Sequence, residues 1–235
     1  MMFFPDVLPE DAVLSFGHPH EERWFSSPTG NRLHAVVFRA QRPPRGTILY
    51  WHGNAGSLAS WGEVGVGLVA HGFDVVIVDY AGFGKSRGTL SEATLLRDAL
   101  AVHAGVAADF PGRLVLFGRS LGTGVATYLA AERPVDRLLL ETPYASIVDL
   151  VRRTLPWVPS LFIRIRLDST AWMPRVRCPV HVFHGDRDEV IPLASAERLR
   201  PLLPTGSTFT RIPGGGHNDL AQFGAYRSAL SQALA

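Results

Sequence analysis

The sequence predicts an α/β fold: a mostly parallel eight-stranded sheet with an N-terminal antiparallel hairpin, helices on both faces and a small helical lid, all in one domain over 1–235. Three observations carry this. Short apolar runs without strict alternation recur along the chain, as strands buried on both faces require. Segments of helical periodicity separate them, long enough to serve as right-handed crossovers. With 235 residues, 46% apolar and 19% charged, the chain can bury one sizeable core.

The elements follow in order. Arg23 to Ser27 and Leu33 to Phe38, joined through Pro28-Thr29-Gly30-Asn31, read as the hairpin. Core strands are expected at Thr47-Ile48-Leu49-Tyr50-Trp51, Val75 to Val78, Leu114 to Phe117, Leu138 to Leu140, Val180 to Phe183 and, last, Thr208 to Ile212. Helical patterns lie near 58–70, 91–108, 121–133, 194–202 and 218–233. Ile147, Leu150, Val151 and Leu155 recur at helical spacing, and Pro156-Trp157-Val158-Pro159 separates them from Leu161 to Arg166. This lid-like insertion at about 143–175 reads as two helices, with an apolar face toward an acyl chain and Arg152, Arg153, Arg164 and Arg166 in solvent.

Charge and composition exclude several functions. The net charge is +2, and the positive charges are scattered arginines with a single lysine, Lys85, so no stripe follows a phosphate backbone and no nucleic-acid partner is expected. The amino end, with Asp6, Glu10 and Asp11 behind Met1-Met2-Phe3-Phe4-Pro5, lacks the basic flank and apolar length of a signal peptide. No run approaches the roughly 18 apolar residues of a membrane span. The expected location is cytoplasmic, with transient lipid contact through the lid as the one membrane relation. Cys178 is the only cysteine, which excludes an internal disulfide, and its place beside Pro179 favours a packed thiol.

In open parallel sheets ligands sit at the carboxyl ends of the strands, so the chemistry is sought in those loops. Gly118-Arg119-Ser120-Leu121-Gly122, entered directly from a strand, reads as a serine lifted on a sharp strand-to-helix turn, its hydroxyl exposed and the next N–H free. Serine is a poor nucleophile until a base takes its proton. His217, in Gly214-Gly215-Gly216-His217-Asn218-Asp219, is that base. A carboxylate must orient it, and His184-Gly185-Asp186-Arg187-Asp188-Glu189 offers Asp188 first and Asp186 second, with Glu141 a third candidate. The Trp51-His52-Gly53-Asn54-Ala55-Gly56 loop places Asn54 as one backbone N–H donor to an oxyanion and the N–H of Leu121 as the other. His52 reads as a loop brace.

Competing motifs fail on their own residues. Gly84-Lys85-Ser86 imitates the end of a phosphate-binding loop, but Asp79 stands where that loop needs glycine. Gly65-Val66-Gly67 lies inside a helical pattern instead of opening one after a strand. The nine histidines show no zinc-binding helix pattern, and His181 and His184 alternate across a strand. No metal and no cofactor is expected.

The arrangement resembles the α/β-hydrolase superfamily, and within it the small Bem46-like serine hydrolases, over nearly the whole chain. The resemblance rests on His52 to Gly56, Asp79-Tyr80-Ala81-Gly82-Phe83-Gly84-Lys85-Ser86, the Gly118 to Gly122 elbow, and His184-Gly185 followed by Asp188 and Ile191-Pro192. It implies a triad of Ser120, Asp188 and His217, with Asn54 and Leu121 at the oxyanion. Ala81 departs from it, standing where arginine is common, and no anchoring amino-terminal segment is expected. The expected activity is hydrolysis of a small-molecule acyl ester or thioester through an acyl-enzyme. Two other readings are an aminopeptidase-type amide hydrolase, with Glu141 holding the substrate's amino group, and a non-catalytic binding protein of the same fold.

Overall fold

The apolar runs become strands where they bury both faces. The computed structural model describes residues 3–41, 43–155, 157 and 159–235, and the chain divides near Leu116 and Phe117 into two compact units. In the first lie β1 (Phe4–Pro5), β2 (Glu21–Ser26), β3 (Arg32–Phe38), β4 (Thr47–Trp51), β5 (Ala55–Gly56), α1 (Leu58–Val69), β6 (Asp74–Val78) and α2 (Glu92–Asp109). Every residue of β4 and β6 is buried, which is why neither run alternates. β4 runs parallel to β6, while β3 is antiparallel to both β6 and β2.

Polar side chains fix the ends of these elements. Ser57 and Ser91 close capping boxes with Ser60 and Thr94, supplying acceptors to the free N–H groups of α1 and α2. The hairpin turn, with Gly30 at φ +85°, is pinned from α2: buried Asp98 accepts from Thr29 Oγ1 at 2.6 Å and from Asn31 Nδ2 at 2.7 Å. The two rejected motifs have structural work. Asp79 accepts the N–H of Leu58 at the start of α1 at 3.1 Å, and buried Lys85 pairs with Glu22 at 2.7 Å. Gly65 lies in α1 against the Phe38 ring, where a Cβ has no room. The parallel pairing of β1 with β5 was not expected, because two-residue strands leave no periodicity to read.

The second unit begins within β7 (Leu114–Arg119) and continues through α3 (Leu121–Glu132), β8 (Arg137–Glu141), α4 (Ile147–Thr154), α5 (Ser169–Trp172), β9 (Val180–Gly185), α6 (Leu193–Glu197), β10 (Thr208–Ile212) and α7 (Gly224–Leu234). The mostly parallel eight-stranded sheet reads β4-β6-β3-β2 through the first unit and β10-β9-β8-β7 through the second. β8, β9 and β10 are parallel neighbours. α7 is clipped to both ends of β8, through Arg137 to the Ala233 carbonyl and through Tyr226 to Glu141. Cys178 is buried, and burial pushes its thiol up to about 11, so it stays protonated.

Three helices differ from expectation. The pattern near 194–202 splits into α6 and a 3₁₀ turn at Arg200–Leu202, because Pro201 has no N–H to continue the ladder. The pattern near 218–233 starts with a 3₁₀ turn at Leu220–Gln222, and the α-helix itself begins at Gly224. The second lid helix over Leu161 to Arg166 does not form. A 3₁₀ turn at Ser160–Phe162 precedes irregular chain, since six residues without a cap cannot meet the cost of helix nucleation. Pro156 and Val158, part of the expected break, lie outside the described residues.

Candidate active site

A serine placed between a buried strand and a helix must turn sharply. Ser120 sits at φ +50° and ψ −116°, a backbone that costs a residue with a Cβ about 1–3 kcal/mol and survives only where its surroundings impose it. They do so here. The Ser120 N–H donates to the Glu141 carbonyl at 3.0 Å, and the Thr123 hydroxyl donates to the Ser120 carbonyl at 2.6 Å. A Cβ on Gly118 would meet the Gly122 carbonyl carbon and Thr123 Cα at 2.7 Å, so this elbow closes only around glycine. Ser120 occupies the cap position of α3, yet its hydroxyl caps nothing. It lies 3.0 Å from His217 Nε2.

His217 reaches that position on a glycine loop with several restraints. Of its three glycines, only Gly214 has positive φ, at +79°. Gly215 packs against the end of β9 so closely that a Cβ on Gly185 would strike the Gly215 carbonyl. Asp186 accepts the Gly214 N–H at 2.8 Å and Arg211 Nε at 3.0 Å, and Asp219 accepts the Gly216 N–H at 2.7 Å. Asp186 is thus committed to the loop.

Asp188 meets the imidazole. His217 Nδ1 donates to Asp188 Oδ2 at 2.8 Å, while Oδ1 accepts the N–H groups of Val190 at 2.9 Å and Ile191 at 2.8 Å. Burial alone would raise this carboxyl, but the bonds from His217 and the Ile191 N–H outweigh it and hold the group below its ordinary range. It is ionised at neutral pH. Buried His184 is pushed down by burial against a smaller opposing contribution from its bond to the Ile191 carbonyl, 2.8 Å from Nε2, so it stays neutral beneath the Asp188 turn.

The other expected residues have definite places. The Leu121 N–H opens α3 directly after Ser120, and no acceptor for it occurs among the described residues. Asn54 follows β4 in the first unit, its carbonyl accepting from Phe4 N–H at 3.2 Å. His52 is fully buried: Nδ1 lies 2.8 Å from the Gly53 carbonyl and Nε2 3.2 Å from Asp79, with the ring stacked on Trp61, which makes it the expected brace. Glu141 does not approach His217 as an orienting acid. Its Oε1 lies 3.1 Å from Arg119 Nε, and its Oε2 accepts the Tyr226 hydroxyl at 2.5 Å. Arg119 and Tyr226 were assigned no role from sequence. Arg119 stands in the elbow motif itself, but a helical tyrosine more than a hundred residues away gives no pattern to detect.

A family model described as serine aminopeptidase, S33, matches residues 42–172, just over half of the chain. The chain belongs to the α/β-hydrolase superfamily. The match contains Ser120 and stops short of Asp188 and His217. This α/β hydrolase is 31% identical over 226 residues to an uncharacterized protein of Mycobacterium tuberculosis (strain ATCC 25618 / H37Rv), covering 93% of this chain and 80% of that one. It is 33% identical over 187 residues to lysophosphatidylserine lipase ABHD12 of Danio rerio, with 70% of this chain and 48% of that protein covered. Among solved structures, the Pyrococcus furiosus esterase Pf2001 superposes with a TM-score of 0.76 at 14% identity over 99% of this chain and 100% of that one. The esterase domain of a Rhodothermus marinus protein gives 0.71 at 18% identity, over 92% and 100%. These two establish the shared fold. Among the described residues, no helix is long and apolar enough to cross a membrane.

Proposed function

We propose that this hydrolase cleaves carboxylic esters, with thioesters as a close variant, through a Ser120, His217 and Asp188 triad. The observation that carries the reading is the unbroken series Ser120 Oγ, His217 Nε2, His217 Nδ1 and Asp188 Oδ2, at 3.0 Å and 2.8 Å. As Ser120 Oγ attacks the acyl carbon, its proton passes to Nε2, and the ionised Asp188 stabilises the imidazolium that forms. The carbonyl oxygen becomes an oxyanion, for which the unpartnered Leu121 N–H is one donor and, on the sequence reading, the Asn54 N–H the second. His217 returns the proton to the leaving alcohol or thiol. Water, deprotonated by His217, then attacks the acyl-enzyme and releases the acid and free Ser120. No step calls on a metal or cofactor.

The family model's description favours amide cleavage as a second reading. That reading needs a carboxylate free to bind an amino terminus, whereas Glu141 is held by Arg119 and Tyr226, which supports the ester. The segment at about 143–175 is proposed to cover the acyl end of the site. An apolar cavity of about 230 Å³ lies between Ile147, Leu150 and Val151 of α4 and Val190 and Pro192 beside Asp188.

Replacing Ser120 with Ala is expected to abolish fluorophosphonate labelling and to lower kcat on a short p-nitrophenyl ester by at least about 10⁴-fold. Turnover retained by the folded variant overturns the assignment. Rates on matched acyl ester and aminoacyl amide substrates separate the two readings, and a series of esters of rising acyl length tests the cavity.

A further inference from the structure

The strand order β10-β9-β8-β7 poses a mechanical problem. Ser120 follows β7, and His217 is carried by the loop after β10, three strand spacings away, or about 14 Å at the usual separation. The His217 loop must therefore hang across the ends of β9 and β8. Asp188, from the loop after β9, holds the imidazole ring, and Asp186, Asp219 and the Gly185 contact hold the loop at Gly214 to Gly216. The restraint on the His217 carbonyl and Asn218 comes from the elbow. Arg119 Nη2 donates to the Asn218 side-chain oxygen at 3.1 Å and to the His217 carbonyl at 3.4 Å.

Arg119 can serve as a restraint because it is itself held. Its guanidinium and the Glu141 carboxylate are largely buried, with side chains 15% and 9% exposed, and the remaining Glu141 oxygen accepts the Tyr226 hydroxyl from α7. A planar guanidinium can engage a carboxylate on one edge and carbonyl oxygens on another, which an ammonium cannot do in the same geometry. Each strand end in the second unit then contributes one part: Arg119 and Ser120 from β7, Glu141 from β8, Asp188 from β9 and His217 from β10.

We infer that Arg119, anchored by Glu141 and Tyr226, is a positioning residue that fixes the backbone of His217 so that Nε2 points at Ser120. The inference rests on the proposed triad. Nothing in it requires Arg119 to touch substrate, so its loss acts on the chemical step and leaves substrate affinity in place. A base displaced by about 1 Å loses on the order of 100-fold in rate.

The test uses Arg119→Met, Arg119→Lys, Glu141→Gln, Tyr226→Phe and the Arg119→Met/Glu141→Gln double variant. Rates on a short p-nitrophenyl ester are expressed per active site titrated with a fluorophosphonate, so unfolded protein does not count. Expected are a fall in kcat of about 10- to 100-fold for Arg119→Met with KM within about twofold, partial recovery with Lys, a smaller fall for Tyr226→Phe, and a double variant no slower than the worse single one. The milder Tyr226→Phe keeps the test open should the charge variants not fold. Wild-type kcat per titrated site in the Arg119 variants, or additive losses in the double variant, overturns the inference. If wild-type protein neither turns over nor labels, the proposed function fails, and positioning is then read from the His217 Nδ1–H proton resonance. A sharp resonance in the wild type that is lost in Arg119→Met supports the restraint; an unchanged resonance overturns it.

Discussion

At the scale of single residues, Asp188 has the clearest consequences. Its carboxylate takes three hydrogen bonds at once, from His217, Val190 and Ile191, so it fixes both the imidazole tautomer and the turn that carries it. Asp188→Asn keeps the shape but removes the charge that, in the proposed triad, stabilises the imidazolium. A loss in kcat of about 10³- to 10⁴-fold is expected, with little change in KM, in steady-state assays on an ester. The same groups predict a pH dependence of folding. Asp188 and His184 both have folded values below their ordinary ones. The unfolded chain therefore binds protons at these positions that the folded chain resists, and stability is fully present only above the unfolded values. It should decline as pH falls below about 6.5, where an unfolded histidine charges, and again below about 4, where an unfolded aspartate protonates. Denaturant midpoints measured from pH 8 to pH 3 check this, and a midpoint flat across that range contradicts it.

At the scale of elements, the turns are more constrained than their composition suggests. Gly185 ends β9 against the Gly215 backbone, and a methyl group there would collide with main chain that cannot move aside as a flexible side chain could. Gly185→Ala is expected to destabilise the fold by about 2–4 kcal/mol and to slow fluorophosphonate labelling by separating the Asp188 and His217 loops. Thermal melting and labelling rates together check this. The glycines on either side of Ser120 were legible because the elbow is a contiguous motif. The role of Gly185 and Gly215 was not, since it depends on two residues thirty positions apart, joined by neither motif nor period, meeting where the ends of β9 and β10 lie side by side. Pro201 likewise shows a local breaker overriding a periodic pattern.

At the scale of the whole molecule, each unit has its own polar anchor. In the first, Asp98 on α2 reaches the hairpin turn sixty-seven residues away in sequence. Asp98→Ala removes a buried acceptor, leaving Asn31 Nδ2 with the Thr89 carbonyl and Thr29 Oγ1 with Ser27 Oγ, and is expected to lower stability by about 1–3 kcal/mol, with the labelling rate per folded molecule unchanged, as chemical denaturation and fluorophosphonate kinetics can show. In the second, the side-by-side order β7-β8-β9-β10 lets residues far apart in the chain converge. By itself the sequence determined the α/β class, the places of the strands and the elbow, because buried strands, crossovers and a strained glycine-flanked turn each leave a local, periodic or contiguous pattern. It also narrowed the partners of Ser120 to a few strand-end residues. Only the tertiary structure decided among Asp188, Asp186 and Glu141 as neighbours of His217, and brought Arg119 and Tyr226 to Glu141. Those contacts are set by strand order and loop packing, which bring together side chains that no window of sequence holds together.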